Sequence, residues 1–208
     1  MAKHGLVYCG DKYHSADMVL AGLRSAGGAE FEFESAHSGG GFQIPDDLSL
    51  VVIAKLNVLS PDDDAPWTDE TVDTSLRQFV QNGNALLVIH GGTVRYAPVP
   101  GIRTMTGGSF IQHPASCDVQ LETSPTHPIS AGIPSFAVFD EHYFMDVDPD
   151  INVFLQAHSQ HGTQPAGWTK AFGKGRICVL TPGHGAAVWE RSEYRELLRN
   201  ALNWLTIA

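Results

Sequence analysis

The chain has 208 residues, 43% of them apolar, which is enough for one sizeable core and awkward for two. Its 23 acidic residues outnumber 13 Lys and Arg for a net charge of −10, so no basic stripe is available for nucleic-acid phosphates or an anionic membrane surface. No apolar run reaches the length of a membrane span, the first residues lack a signal-type segment, and Cys9, Cys117 and Cys178 contain no C-x-x-C pair. The expectation is a soluble cytoplasmic chain forming one domain over residues 1–208.

Residues 6–9 read as a short buried strand and residues 10–14 as its loop. Ser15 is placed to cap a helix that runs to about Ala26 and stops at Gly27-Gly28. Phe31 and Phe33 alternate with Glu30, Glu32 and Glu34, the pattern of a half-exposed edge strand. An exposed His37 and a Ser-Gly-Gly-Gly loop at 38–41 follow. Residues 50–54 are apolar on both faces, as a central parallel strand covered on both sides must be. After an acidic turn at 61–66, Thr68 is placed to cap a helix whose Val72, Leu76, Phe79 and Val80 share one face. Residues 85–89 form a second fully apolar strand that ends on His90, and Gly91-Gly92 let the backbone turn there.

Residues 91–135 lose periodicity and read as a functional cover with one alternating segment at 118–122. Further strands are predicted at 136–139, 151–157, 166–172 and 176–180. Gly173-Lys174-Gly175 joins the last two into a local antiparallel hairpin. Tyr194, Leu197, Leu198, Ala201, Leu202 and Leu205 mark a C-terminal helix. This order predicts an α/β fold with a doubly wound, mostly parallel sheet.

Ligands of open α/β sheets bind at the carboxyl ends of the strands. The residues just past those ends are Asp11, Tyr13, His14, Asn57, His90 and His184, joined by Asp140-Glu141-His142-Tyr143 and by His113 from the cover. His90 stands where comparable architectures carry a Ser or Cys nucleophile, so acyl transfer at this elbow is not expected. Several histidines and a carboxylate suit acid and base chemistry near neutral pH, or a divalent metal such as zinc. The catalytic expectations are His90, Glu141 and His184, and the metal candidates are His90, His113, Glu141 and His184. No H-E-x-x-H or comparable ligand pair is present, and His158-x-x-His161 carries no signal. Tyr13, His14, Asn57, Arg95, His113 and Tyr143 are expected to position substrate. Trp168 is expected either to stack on a sugar ring or to pack in the core. His127 and His142 read as structural or surface residues, His4 as exposed, and Asp140 with Glu141 reads equally as a solvated pair.

Several of these segments, in order, resemble the trehalose-utilisation (ThuA-like) family over roughly residues 10–205. They are Tyr13-His14, Val88-Ile89-His90-Gly91-Gly92, the Gly107-Gly108…His113-Pro114 segment, His127-Pro128-Ile129 and Asp140-Glu141-His142-Tyr143. Trp168, Gly173-Lys174-Gly175-Arg176, Gly183-His184 and Trp189 complete the pattern. Ser15 departs from the proline common at that position. The resemblance implies a fold similar to class I glutamine amidotransferase domains, within the flavodoxin-like class. It also implies carbohydrate metabolism, with a sugar or keto-disaccharide related to trehalose as substrate and an oxidoreductase as pathway partner. Two other readings stay open: a sugar-binding or regulatory module without the nucleophilic Cys, and a metal-dependent hydrolase of another substrate. An apolar patch around the cover would support a homo-oligomer.

Overall fold

The computed structural model describes residues 2–36, 44–45 and 47–207. The expected loop at 38–41 and His37 lie outside the described residues. The first strand, β1 (Lys3–Cys9), leads to helix α1 (Ala16–Gly27), where the Ser15 hydroxyl accepts the Met18 amide as a capping residue should. β2 (Phe31–Ala36) buries Phe31 and Phe33, exposes the alternating Glu32 and Glu34, and forms one edge of the sheet. β3 (Leu50–Ala54) and β4 (Ala85–Ile89) are buried throughout, and α2 (Glu70–Gln81) connects them. The cap of α2 is Asp69, whose carboxylate accepts the Val72 amide, and not Thr68; the Thr68 hydroxyl donates to Asn57 instead.

The stretch beyond β4 holds more regular structure than its sequence pattern indicates. It contains α3 (Pro100–Thr106) and β5 (Gly108–Gln112) besides β6 (Cys117–Thr123), which is the alternating segment at 118–122. Then come β7 (Phe136–Asp140), β8 (Phe144–Val147), β9 (Asn152–Ser159), β10 (Gly162–Phe172) and β11 (Gly175–Leu180), followed by the short α4 (Ala186–Trp189) and the C-terminal α5 (Ser192–Leu205).

Nine strands form one sheet in the order β2-β1-β3-β4-β11-β10-β9-β6-β7, and β5 pairs with β8 as a separate antiparallel ribbon. The first five strands of that order are parallel. The remaining pairings, β11 with β10, β10 with β9, β9 with β6 and β6 with β7, are antiparallel. The sheet is therefore mixed in equal parts, and the expected local hairpin at Gly173-Lys174 is the start of an antiparallel half. The alternation of direction makes β7 run in the same sense as β1, β3, β4 and β11. Its carboxyl end, at Asp140, consequently reaches the same edge as Cys9, Ala54, Ile89 and Leu180.

Strand alternation divides the core between the two faces. Val7, Val52, Leu87 and Ile89 face α1 and α5 through Leu23, Leu198 and Leu202, while Tyr8, Val51, Ile53 and Val88 face α2 and α3 through Leu76, Phe79 and Ile102. Coverage of both faces is what makes these strands apolar at every position. Gly92, just past β4, packs so tightly that a Cβ there would lie 2.1 Å from the Ile53 carbonyl oxygen. Among the described residues, no helix is long and apolar enough to cross a membrane.

Of the four buried histidines among the described residues, His127 and His142 lie away from the strand ends that carry His14 and His90. His127 stacks on Phe154, accepts the Ile129 amide on Nδ1 and faces the Thr169 hydroxyl with Nε2, so it is held neutral. His142 is 1% exposed, and neither ring nitrogen has a hydrogen-bond partner among the described residues. Burial lowers the pKa of both below the ordinary histidine value, with His161 and His158 adding to the effect at His142. The unfolded chain therefore takes up protons near pH 6.5 that the folded chain resists, so this contribution is complete above pH 6.5 and is lost as pH falls through the folded values. Urea denaturation at pH 7.5 and 5.5 should give the lower midpoint at 5.5.

Candidate functional site

The loop after β1 builds the first part of the site from a local turn. The Asp11 carboxylate accepts the amides of Tyr13 and His14 on Oδ1 and the amide of Leu56 on Oδ2. Oδ2 also lies 3.0 Å from His14 Nδ1, so the imidazole N–H donates to the carboxylate and Nε2 is left as the acceptor nitrogen. Burial alone would raise the Asp11 pKa, but the His14 hydrogen bond and these amides outweigh it and hold the carboxyl below its ordinary range. Gly91 makes room for this dyad, since a Cβ there would come within 2.9 Å of His14 Nδ1.

His90 opens the 3₁₀ turn that follows β4, with φ at +47°, a left-handed conformation that costs a non-glycine residue roughly 1–2 kcal/mol. Its Nδ1 lies 2.7 Å from the Thr181 carbonyl and must donate to it, while Nε2 faces the Tyr143 hydroxyl at 3.0 Å and Glu141 Oε2 at 3.4 Å. The ring also stacks on Tyr143.

The third part follows β11 and is fastened by Asp140, which is buried and accepts the amides of Gly183 and His184. Asp140 and Glu141 are therefore not a solvated pair. Asp140 anchors the His184 loop, and Glu141 turns toward the imidazoles. Glu141 Oε2 is 3.5 Å from His184 Nδ1, and Oε1 is 3.6 Å from His113 Nε2. His113 is fixed through Nδ1 by the Pro114 carbonyl at 2.8 Å. Burial pushes the Glu141 carboxyl up, but the adjacent imidazoles, first His90 and then His184 and His113, bring it below its ordinary range. The His184 pKa is lowered, first by burial and then by His90 and His14, against the pull of Glu141 and Asp140. Burial, with the adjacent Glu141 and Asp140, keeps the Tyr143 hydroxyl protonated far above neutral pH.

These groups surround a cavity of about 310 Å³ lined by Tyr13, His14, Leu56, Val94, Phe110, His113, Glu141, Tyr143 and His184. Tyr13 is exposed at the mouth, and the β5–β8 ribbon supplies Phe110 beside Tyr143. His90 lies behind the cavity wall, 2% exposed, and touches the cavity through Glu141 and Tyr143. One ring nitrogen from each of His14, His90 and His184 lies within 4.8 Å of the others, a spacing that can hold a metal ion.

Three expected substrate-positioning residues fall elsewhere. Trp168 in β10 is fully buried and donates its indole N–H to the Thr106 carbonyl at 2.8 Å, so no sugar ring can reach it. Asn57 is a buried brace, donating to the Arg95 carbonyl and accepting from the Thr68 amide and hydroxyl. The Arg95 guanidinium points to Asp64, outside the cavity lining. Sequence reasoning missed the anchoring role of Asp140 and the wall residues Leu56, Val94 and Phe110. For Asp140 a signal existed, since it continues the buried phase of Phe136 and Val138 along β7.

Among solved structures, the chain is similar to a ThuA-like protein of Parabacteroides merdae with 17% identity and a TM-score of 0.81, over 99% of this chain and 90% of that one. A ThuA-like protein of Bacteroides uniformis matches with 17% identity and a TM-score of 0.76, over 98% and 91% of the two chains. A β-galactosidase of Rahnella sp. R3 matches at 11% identity and a TM-score of 0.69, over 98% of this chain and 31% of that one. At these identities the likeness is one of fold. No curated protein matches the sequence. The family model described as ThuA, trehalose utilisation, matches residues 14–205, and the chain belongs to that family.

Proposed function

We propose that the protein is an enzyme that moves protons on an oxidised sugar, a keto-disaccharide related to trehalose, with Glu141 as the base. The observation that carries this reading is the position of the Glu141 carboxylate, 3.4–3.6 Å from three imidazoles at the wall of an aromatic-lined cavity. The described lining residues include no Ser, Thr or Cys, so a covalent intermediate on such a nucleophile has no support there, whereas proton transfer has several carriers. A ketone suits such a site because it acidifies the C–H bond beside it. Trehalose utilisation, the description of the family, supports a sugar as the molecule that carries the ketone.

In the proposed step, Glu141 takes the proton from the carbon next to the carbonyl, the C–H electron pair becomes a carbon–carbon double bond, and the carbonyl π pair moves onto oxygen to give an enolate. The Tyr143 hydroxyl, which stays protonated through the neutral range, turns from His90 Nε2 to donate its hydrogen bond to that oxygen. Return of the electron pair either expels an oxygen substituent on the next carbon, which completes an elimination, or takes up a proton at the same carbon from the opposite face, which completes an epimerisation. His184 and His113, both beside Glu141, relay the proton to the leaving oxygen or to carbon. His90 acts through Glu141 and Tyr143 and is a positioning residue. A substrate of this kind must be supplied by an alcohol oxidation, which gives a pathway oxidoreductase its place.

The test is to incubate the protein with keto-disaccharides and their unoxidised parents while following both by NMR, with calorimetry in parallel. Conversion of the keto form alone is expected. Binding of the keto form without conversion would instead make the protein a sugar-binding module.

A further inference from the structure

We propose that His14, His90 and His184 form a binding site for one divalent cation of the zinc type, open toward the cavity on the side of Glu141. A role for that cation in turnover rests on the reading above; the binding site itself does not.

The hydrogen bonds behind the three rings carry the proposal. Imidazoles that ligate a metal donate their other N–H to a carboxylate or a backbone carbonyl, which fixes the tautomer and aims the lone pair. His14 does this with Asp11 at 3.0 Å and His90 with Thr181 at 2.7 Å, so the acceptor nitrogen of each ring is Nε2. His14 Nε2 and His184 Nδ1 are both buried without a hydrogen-bond partner among the described residues. Two orphaned nitrogens in one cluster, with a third ring within 4.8 Å, lack only a group that accepts lone pairs.

The remaining polar contacts are compatible with this. His90 Nε2 faces the Tyr143 hydroxyl at 3.0 Å and Glu141 Oε2 at 3.4 Å, and His184 Nδ1 faces Glu141 Oε2 at 3.5 Å. Loading a cation requires the Tyr143 hydroxyl to give up His90, and Glu141 is the acceptor beside it. Zinc–nitrogen bonds of about 2.0–2.1 Å would draw the rings together by roughly 1 Å. Imidazole donors without thiolates favour zinc, cobalt or nickel over magnesium and calcium. Three protein ligands with an open fourth position is the arrangement of a catalytic ion, and its chemistry here would be to polarise a carbonyl oxygen in the cavity.

The experiment is a calorimetric titration of the chelator-stripped full chain with Zn²⁺ at pH 7.5, repeated with Co²⁺ and read by visible absorption. The expected result is one equivalent of either ion and the d–d bands of a four-coordinate cobalt centre. His184→Ala and His14→Gln should each weaken binding by about 100-fold or more, while His113→Ala should leave it within a few-fold. His184 is a third exposed, so its variant reports on the site even where the His14 variant does not fold. No uptake by the folded wild-type chain, or loss in His113→Ala with retention in His184→Ala, would overturn the proposal. Turnover measured in parallel separates the two readings. Metal uptake without reaction on a keto-sugar removes the enzyme and leaves the site; reaction that persists in chelator without uptake removes the site and leaves the enzyme.

Discussion

Replacing Glu141 by Gln is expected to lower turnover of the keto-sugar by about 10²- to 10⁴-fold, with KM changed only a few-fold. The amide keeps the size of the side chain and its place beside His90, His113 and His184, but it cannot take a proton. Glu141 is ionised throughout the neutral range in the wild-type chain, because the neighbouring imidazoles outweigh the effect of its burial. The loss should therefore appear in kcat at every pH from 6 to 8. Circular dichroism melting should place the variant within about 5 °C of wild type, since the carboxylate is at a cavity wall and not in the packed core. Steady-state kinetics on both chains checks this. Unchanged kcat would remove Glu141 as the base.

Replacing Trp168 by Ala should destabilise the fold by about 3–5 kcal/mol, which for a chain of this length is a fall of roughly 10 °C in Tm. The indole is among the largest fully buried side chains, donates to the Thr106 carbonyl, and lies so close to Gly108 that a Cβ there would meet its ring at 2.7 Å. Trp168→Phe keeps most of the apolar contact but loses the pyrrole ring and its hydrogen bond, so it should recover part of the stability and retain turnover. Thermal melting together with kinetics separates packing from substrate contact. A Trp168→Phe variant that melts like wild type but has lost substrate affinity would restore the indole to the site.

The central strands were legible because helices cover the sheet on both faces, so residues 50–54 and 85–89 had to be apolar throughout. The edge strand at Phe31 and Phe33 and the helix face of α5 carried equally direct patterns. Helix α3 did not. It is seven residues long and begins at Pro100, and the amides of Gly101 and Ile102 are satisfied by the carboxylate of Asp73, far away in α2. No local pattern encodes such a cap. The antiparallel half of the sheet was visible strand by strand, but pairings such as β6 with β9 depend on long-range register that the sequence does not spell out.

The candidate site divides in the same way. Asp11 and His14 are three residues apart in one turn, His90 directly follows β4 and His184 lies in the loop after β11, so their approach followed from topology. Asn57 and Arg95 also follow strands or turns, but each is claimed by a partner distant in sequence, Thr68 in one case and Asp64 in the other. Proximity to a strand end selects the right edge of the sheet. Only the side-chain hydrogen bonds decide which residues face the cavity.

The most direct measurement is solvent exchange at the carbon beside the ketone, followed by NMR in D₂O with a keto-disaccharide and a catalytic amount of protein. Abstraction of that proton by Glu141 predicts that wild type incorporates deuterium at this carbon or in the product formed from it, and that Glu141→Gln does not. Substrate that binds and stays fully protonated in the presence of wild type, or equal incorporation by Glu141→Gln, would contradict the account.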